Sequence, residues 1–219
     1  MNKKPLIIIG NGGHASVLKE ILLAQGYKFI GYTAPQQGEN KFGLNYIGTD
    51  EVIEQYHPNE IELVLGVGMI TPNSLKQKLF TSFKAYGYTF SSVIHPAAIV
   101  APSVKLREGV QVMAGAILQT NTVIADNTIV NTGVIIDHDC IIGAHTHLAP
   151  GTKISGNVRV GASTHIGTGT TIIQGIEIGS NCLIGAGSVV VKNIKDNTKA
   201  FGVPAKEVTN GGELEKNNR

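Results

Sequence analysis

The tripeptide Asp137-His138-Asp139 sets an imidazole between two carboxylates. Histidine has an ordinary pKa close to neutrality, so it can take a proton from an attacking nucleophile and return it within one turnover. A carboxylate beside it orients the ring and favours the protonated form that arises during reaction. Such a pair suits general-base activation of a nucleophile such as an amine or hydroxyl. Either Asp139 or Asp137 can be the helper. Further histidines stand at His145, His147 and His165. A second group, Gly10-Asn11-Gly12-Gly13-His14, directly follows the apolar run Leu6 to Ile9. A glycine turn between a strand and a helix brings backbone amides and a helix N-terminus close to a phosphate. A tight turn that binds nothing would read the same way. The spacing departs from the dinucleotide fingerprint: Ala15 takes the third glycine place, and no acidic residue ends the next expected strand at Thr33.

The element that must position the tripeptide is a repeat. Steps of six from Val100 reach Leu106, Val112, Leu118, Ile124, Val130 and so on to Ile184 and Val190 without missing an aliphatic residue. Four places after each comes a small or β-branched residue, such as Val104, Thr128, Cys140 or Cys182, and glycine often follows the aliphatic residue directly, as at Gly143, Gly167 and Gly185. A short fixed period marks a solenoid whose repeats bury their apolar side only by stacking. The expected form is a parallel β-helix with one short strand per hexad and three strands per coil. The aliphatic residue points inward, and glycine eases the turn. His138, two places after Ile136, then lies outside the core, with Thr120 and Gly156 in the adjacent coils at roughly 4.8 Å per coil. Asp139 lies between Asn121 and Asn157. Gly156 is expected to leave open space above the imidazole where a substrate could approach, and His147 should stack on His165.

The first ninety or so residues have another rhythm. Strands are expected at Leu6 to Ile9, Lys28 to Tyr32, Glu62 to Val67 and Thr89 to Ile94. Helices are expected at Ser16 to Gln25 with Val17, Ile21 and Leu22 inward, at Asp50 to Tyr56, and at Pro72 to Tyr86 with Leu75, Leu79 and Phe83 on one side. Strands alternating with helices imply a small doubly wound sheet. His95-Pro96 marks the boundary, giving domains at 1–95 and 96–219.

Composition narrows the rest. The chain has 219 residues, 42% hydrophobic and 16% charged, as expected of a globular protein. A net charge of +2 without a Lys/Arg cluster, Lys3 and Lys4 being the adjacent basics near the start, argues against a nucleic-acid partner. The run Leu6 to Ile9 is too short for a signal peptide or a membrane span, so the expected location is the cytoplasm. Cys140 and Cys182 fall on different faces of the coil and are expected as packed free thiols.

The hexads resemble the left-handed β-helix of the bacterial hexapeptide acyltransferases. Together with the Gly-Gly-His turn after the first strand and the terminal Gly202-Val203-Pro204-Ala205-Lys206, the whole chain resembles the bacterial N-acetyltransferases of UDP-4-amino sugars and their sialic acid O-acetyltransferase relatives. The resemblance implies an α/β Rossmann-like domain that holds a nucleotide sugar, a β-helix that holds acetyl-CoA, and homotrimers with active sites between subunits. It implies His138 as general base and Asp139 as its helper, where many relatives carry glutamate. Acetyl-CoA is then lined by His147, which contacts either acetyl-CoA or the acceptor, and by Gly156, Thr168, Gly185 and Ala186, whose small side chains let pantetheine run close to the backbone. Lys192, Lys195, Lys199 and Lys206 are candidates for the CoA phosphates. The nucleotide sugar is approached by Gly12, Gly13, His14 and Gly68.

The chain departs from UDP-specific relatives just after the second strand, where they carry acidic residues and this sequence reads Tyr32-Thr33-Ala34-Pro35. The leading expectation is N-acetylation of a nucleotide-linked 4-amino sugar for a surface glycan. The alternatives are O-acetylation of a sugar such as sialic acid, a non-catalytic trimeric scaffold, and a zinc site of the γ-class carbonic anhydrase type built from histidines across a subunit boundary. The histidine spacing does not resemble that last family, and no metal is expected.

Overall fold

The computed structural model describes residues 3–39, 43–69 and 75–208. The N-terminal part is a parallel sheet of four strands in the order β3-β2-β1-β4, with β1 at Leu6–Ile9, β2 at Phe29–Thr33, β3 at Tyr46–Gly48 and β4 at Glu62–Leu65. Strand β3 was not foreseen. Helix α1 (Gly13–Ala24) covers one face of the sheet, while a 3-10 helix (Asp50–Gln55) and helix α2 (Leu75–Ala85) cover the other. The beginning of the expected second long helix, Pro72 to Ser74, lies outside the described residues.

Both helices bury most of the expected face but expose its first member. In α1 the inward residues are Ala15, Leu18, Ile21 and Leu22, while Val17 is 45% exposed. In α2 they are Lys76, Phe80 and Phe83, and Leu75 is 60% exposed. Of the expected Leu75, Leu79 and Phe83, Phe83 is buried and Leu79 packs partly buried against the same core, so only Leu75 fails. The helix instead turns Phe80 toward Phe90, with ring centroids 4.6 Å apart, and carries Lys76 to a polar partner in the other domain.

The expected strand at Thr89 to Ile94 is divided between the two domains. Phe90 bridges to Leu63 of the α/β sheet, whereas Val93–Ile94 pairs with Gln111–Val112 as the first strand of the solenoid. From there two-residue strands recur every six residues and stack eighteen apart, as in Val123↔Ile141↔Arg159. They form a left-handed β-helix of three parallel sheets. The repeated aliphatic residues fill a single core from Val112 to Val190, and Val100 and Leu106 close it less fully at the open end. Both cysteines are buried and free.

Glycine eases the turn, but not at the place directly after the aliphatic residue. The position that takes the left-handed backbone lies three places after the aliphatic residue, and polar residues share it with glycine: Asn121, Asn127, Asp139, His145 and Asn157 all have φ between 55° and 60°. The glycine directly after the aliphatic residue answers a close approach instead. A Cβ at Gly143 would stand 2.5 Å from the Ala162 amide of the next coil. Asp139 is thereby held in a turn conformation that short polar side chains tolerate.

Three faces result. One carries Gln111, Ile129 and His147 outward and is covered by the N-terminal domain. The next carries Ile99, Ile117 and Ile135 outward, with Ile99 64% and Ile135 38% exposed. The third carries Lys105, Ile141, Arg159 and Glu177. These are called here the seam face, the apolar face and the charged face.

Candidate functional site

The turn Asp137–Cys140 forms the edge between the apolar and charged faces, since it links strand Ile135–Ile136 to strand Ile141–Ile142. On it, His138 Nδ1–H donates to Asp139 Oδ2 at 2.8 Å. Asp137 does something else: its Oδ1 accepts the His138 backbone amide at 2.8 Å and so shapes the turn. Asn121, one coil below, donates from Nδ2 to the other oxygen of Asp139 at 3.1 Å. The carboxylate is therefore fixed from two sides, and the imidazole presents Nε2 as a lone pair to solvent. Both side chains are about half exposed, at 48% and 51%. The hydrogen bond to Asp139, with the charges of both aspartates, holds the His138 pKa above its ordinary value; the same bond and the one donated by Asn121 hold Asp139 below its own.

Gly156 lies on the same edge, one coil above. A Cβ there would come within 2.6 Å of His138 Cε1 and Nε2. The glycine thus makes room for the imidazole itself and does not leave the empty space expected above it. The absent side chain lets the ring lie flat against the next coil.

His147 does not join this edge. It lies on the seam face, where its Nδ1–H donates to the Met69 carbonyl at 2.5 Å and Asn131 Nδ2 donates to its Nε2 at 3.1 Å. His165 stacks edge-on to it with centroids 5.0 Å apart, as the eighteen-residue spacing required. Burial, with the nearby His165, His14 and Lys76, pushes His147 down to about 4. His14 and Gly68 meet at the same seam, with a Cβ at Gly68 3.8 Å from the His14 Cβ. His14 Nε2–H donates to Gln111 Oε1 at 2.7 Å, and Gln111 Nε2 donates to the Leu65 carbonyl at 2.8 Å. Burial keeps His14 below its ordinary pKa as well.

Sequence reasoning missed Lys76 in this seam. It is 1% exposed, and its ammonium donates to the Asn127 side-chain oxygen and to the Asn127 carbonyl. Asn127 Nδ2 in turn donates to His145 Nδ1 at 2.9 Å. With no carboxylate hydrogen-bonded or ion-paired to it among the described residues, burial pushes the lysine down to about 7.

At the end of β1, Gly12 caps α1 and Gly13 begins it, both exposed with open space where a Cβ would stand. With Asn11, Ser16, Lys19, Gly38 and Glu39 they line a cavity of about 210 Å³. Lys19, 3% exposed, donates to the Asn11 side chain and lies 4.4 Å above the Tyr32 ring. A helix N-terminus, bare glycine amides and an ammonium in one cavity suit a phosphate. Lys19 and Asn11 carried no separate signal in the sequence.

Thr168 and Ala186 are both exposed and stack on the edge between the seam and apolar faces, where the Gly187 amide donates to the Thr168 carbonyl at 2.8 Å. Gly185 shares that edge, but the Phe201 ring of the terminal hairpin sits where its side chain would be. Its smallness serves packing within the chain. Among the described residues, no three His, Cys, Asp or Glu side chains gather where they could hold a metal ion, and no helix is long and apolar enough to cross a membrane.

These arrangements can be set beside known proteins. Residues 5–83 match the PglD N-terminal domain family, and 157–192 match the bacterial transferase hexapeptide (six repeats) family. The acetyltransferase domain of PglB from Neisseria gonorrhoeae is 35% identical with a TM-score of 0.88, over 94% of this chain and 100% of that one; it has also been solved in complex with acetyl coenzyme A. PerB from Caulobacter crescentus, solved in complex with CoA and GDP-perosamine, is 37% identical with a TM-score of 0.87, over 94% of this chain and 97% of that one. WeeI from Acinetobacter baumannii, 20% identical with a TM-score of 0.83, shares the fold. No curated protein sequence matches the chain. Identity above one third along nearly the full length of both partners establishes kinship: the chain belongs to the hexapeptide-repeat sugar acetyltransferases, enzymes that use acetyl-CoA.

Proposed function

We propose that this enzyme N-acetylates a nucleotide-linked 4-amino sugar in the cytoplasm as a homotrimer, with His138 as general base, for a surface glycan. The observation that carries the base assignment is the 2.8 Å hydrogen bond from His138 Nδ1 to Asp139 Oδ2 on an exposed edge, which leaves Nε2 free to accept a proton. As the amine nitrogen attacks the acetyl carbonyl, Nε2 takes its proton. The new C–N bond forms, the C–S bond breaks, and the proton passes to the departing CoA thiolate. Asp139 orients the ring and stabilises the imidazolium. The GDP-perosamine bound by PerB and the acetyl coenzyme A bound by the PglB domain support an amino-sugar acceptor and this donor.

The α/β domain holds the acceptor in this reading, and the solenoid holds the donor. The acceptor's phosphates lie against Gly12, Gly13 and Lys19 in the cavity at the start of α1. The sugar reaches toward His14, Gly68 and His147 at the seam. Acetyl-CoA runs along Thr168 and Ala186 on one side and Gly156 on the other. The apolar face supports the trimer, because its two margins are the His138 edge and the Thr168/Ala186 edge. Turning that face toward a threefold axis brings the His138 margin of one copy to the cofactor margin of the next and covers Ile99 and Ile135. Two buried free thiols suit a reducing compartment.

The test is CoA-thiol release from acetyl-CoA with a panel of UDP-, GDP- and dTDP-linked 4-amino sugars and free sialic acid. Turnover with an amino sugar, abolished in His138→Ala, is expected. Turnover with sialic acid alone would move the reaction to O-acetylation, and none at all would leave a scaffold.

A further inference from the structure

We propose that Asp50 holds the ribose of the acceptor's nucleotide and makes the enzyme select ribonucleotide over 2′-deoxyribonucleotide sugars. The inference rests on the nucleotide-sugar reading above. In open α/β sheets the nucleotide lies across the C-terminal ends of the strands, and an acidic residue at the end of the second strand accepts from a ribose hydroxyl. Strand β2 here ends in Thr33-Ala34-Pro35, with no acid. The fold supplies one from elsewhere. Thr33 is fully buried, and its Oγ1–H donates to Asp50 Oδ1 at 2.6 Å. The Thr33 carbonyl also accepts from the Gly10 amide at 2.8 Å, so the Thr33–Asp50 pair stands beside the glycine turn that leads into the phosphate-sized cavity.

Asp50 is half-buried, and among the described residues it has no cationic partner and no hydrogen bond to Oδ2. Positions 43–75 contain no Lys or Arg at all. A carboxylate with one oxygen fixed by a buried hydroxyl and the other open is an acceptor for a ribose hydroxyl, and a 2′-deoxy sugar leaves it unpaired. Asp50 also opens the 3-10 helix Asp50–Gln55, where a negative charge suits the N-terminus. That role alone would tie stability, and not nucleotide choice, to Asp50. Glu39, which lines the cavity, is the competing carboxylate.

The experiment measures kcat and KM by CoA-thiol release with a matched pair of substrates, a UDP-4-amino sugar and its 2′-deoxy-UDP counterpart, and the GDP pair alongside. Wild type is expected to favour the ribonucleotide by about tenfold or more in KM. Asp50→Asn should bring the two members within about twofold of each other by raising the KM for the ribonucleotide sugar, an effect that a purely structural role would not confine to one member of the pair. Should that variant unfold, Thr33→Val keeps the carboxylate but frees its anchor, and is expected to weaken the preference. Equal use of the pair by wild type, a preference retained in Asp50→Asn, or its loss in Glu39→Gln alone would overturn the assignment of Asp50. Absence of turnover with every nucleotide sugar would overturn the reading beneath it.

Discussion

The chain places histidines in two settings that treat the same side chain in opposite ways. On the exposed edge, His138 has a carboxylate at 2.8 Å and its pKa is raised. At the seam, His14, His145, His147 and His165 have amide, carbonyl or aromatic neighbours and are all lowered by burial, with Lys76 adding to the effect on the first three. Of these only His145 feels an opposing carboxylate, Asp126, and burial outweighs it. A histidine becomes a base of useful strength where solvent can stabilise its cation and a carboxylate can share it. Where burial dominates, it stays neutral and serves as a positioned donor or acceptor.

The largest expected effect breaks the edge. His138→Ala should lower kcat by about 10²- to 10⁴-fold with little change in either KM, as read from steady-state CoA-thiol release. His147→Asn, which keeps a donor toward Met69, should raise the KM for the acceptor and leave the pH dependence of kcat where it is. A loss of kcat as large as that of His138→Ala would remove the distinction between the two settings.

Gly156→Ala comes next. Its Cβ would meet the imidazole at 2.6 Å, so the ring must swing away from Asp139. A displacement of this kind costs about a hundredfold in rate. The melting temperature should barely move, because the neighbour that yields is an exposed side chain.

The seam is sharpened through its buried lysine. Lys76 has an ordinary pKa of 10.5 and falls to about 7 when folded. Below pH 7 it is charged in both states and the folded protein bears the full cost of the buried ammonium. Between pH 7 and 10.5 only the unfolded chain binds the proton, so that cost is relieved as pH rises. Urea unfolding should therefore show stability increasing from pH 7 to pH 9, by an amount of order a few kcal/mol at most, and Lys76→Met should flatten the rise. His147 adds the same sign lower down. Its folded pKa of about 4 against 6.5 means that stability is lost as pH falls from 6.5 toward 4.

Much of this was legible in the sequence, for a physical reason. A solenoid is close to one-dimensional, so a period of six residues dictates which residues are inside and which stack. The stacking of His138 on Gly156 and of His147 on His165 followed from counting. The α/β domain has no such rule. Val17 and Leu75 looked like core and are exposed, while Lys76 looked like surface and is buried, because its partner Asn127 is 51 residues away. Which aspartate would touch the His138 ring was open in the sequence, and backbone geometry puts Asp137 on the main chain and Asp139 on the ring. The Thr33–Asp50 pair was hidden for a like reason, since nothing local marks Asp50 as a neighbour of the second strand.

The most direct test of the central claim is the pH dependence of kcat/KM for acetyl transfer in wild type and in Asp139→Asn. The raised pKa of His138 predicts that the wild-type rate falls on the acid side with a midpoint above 6.5. Loss of the Asp139 carboxylate should move that midpoint to lower pH while lowering the plateau roughly tenfold. An acid limb unmoved by Asp139→Asn would contradict the assignment of this pair as the base and its helper.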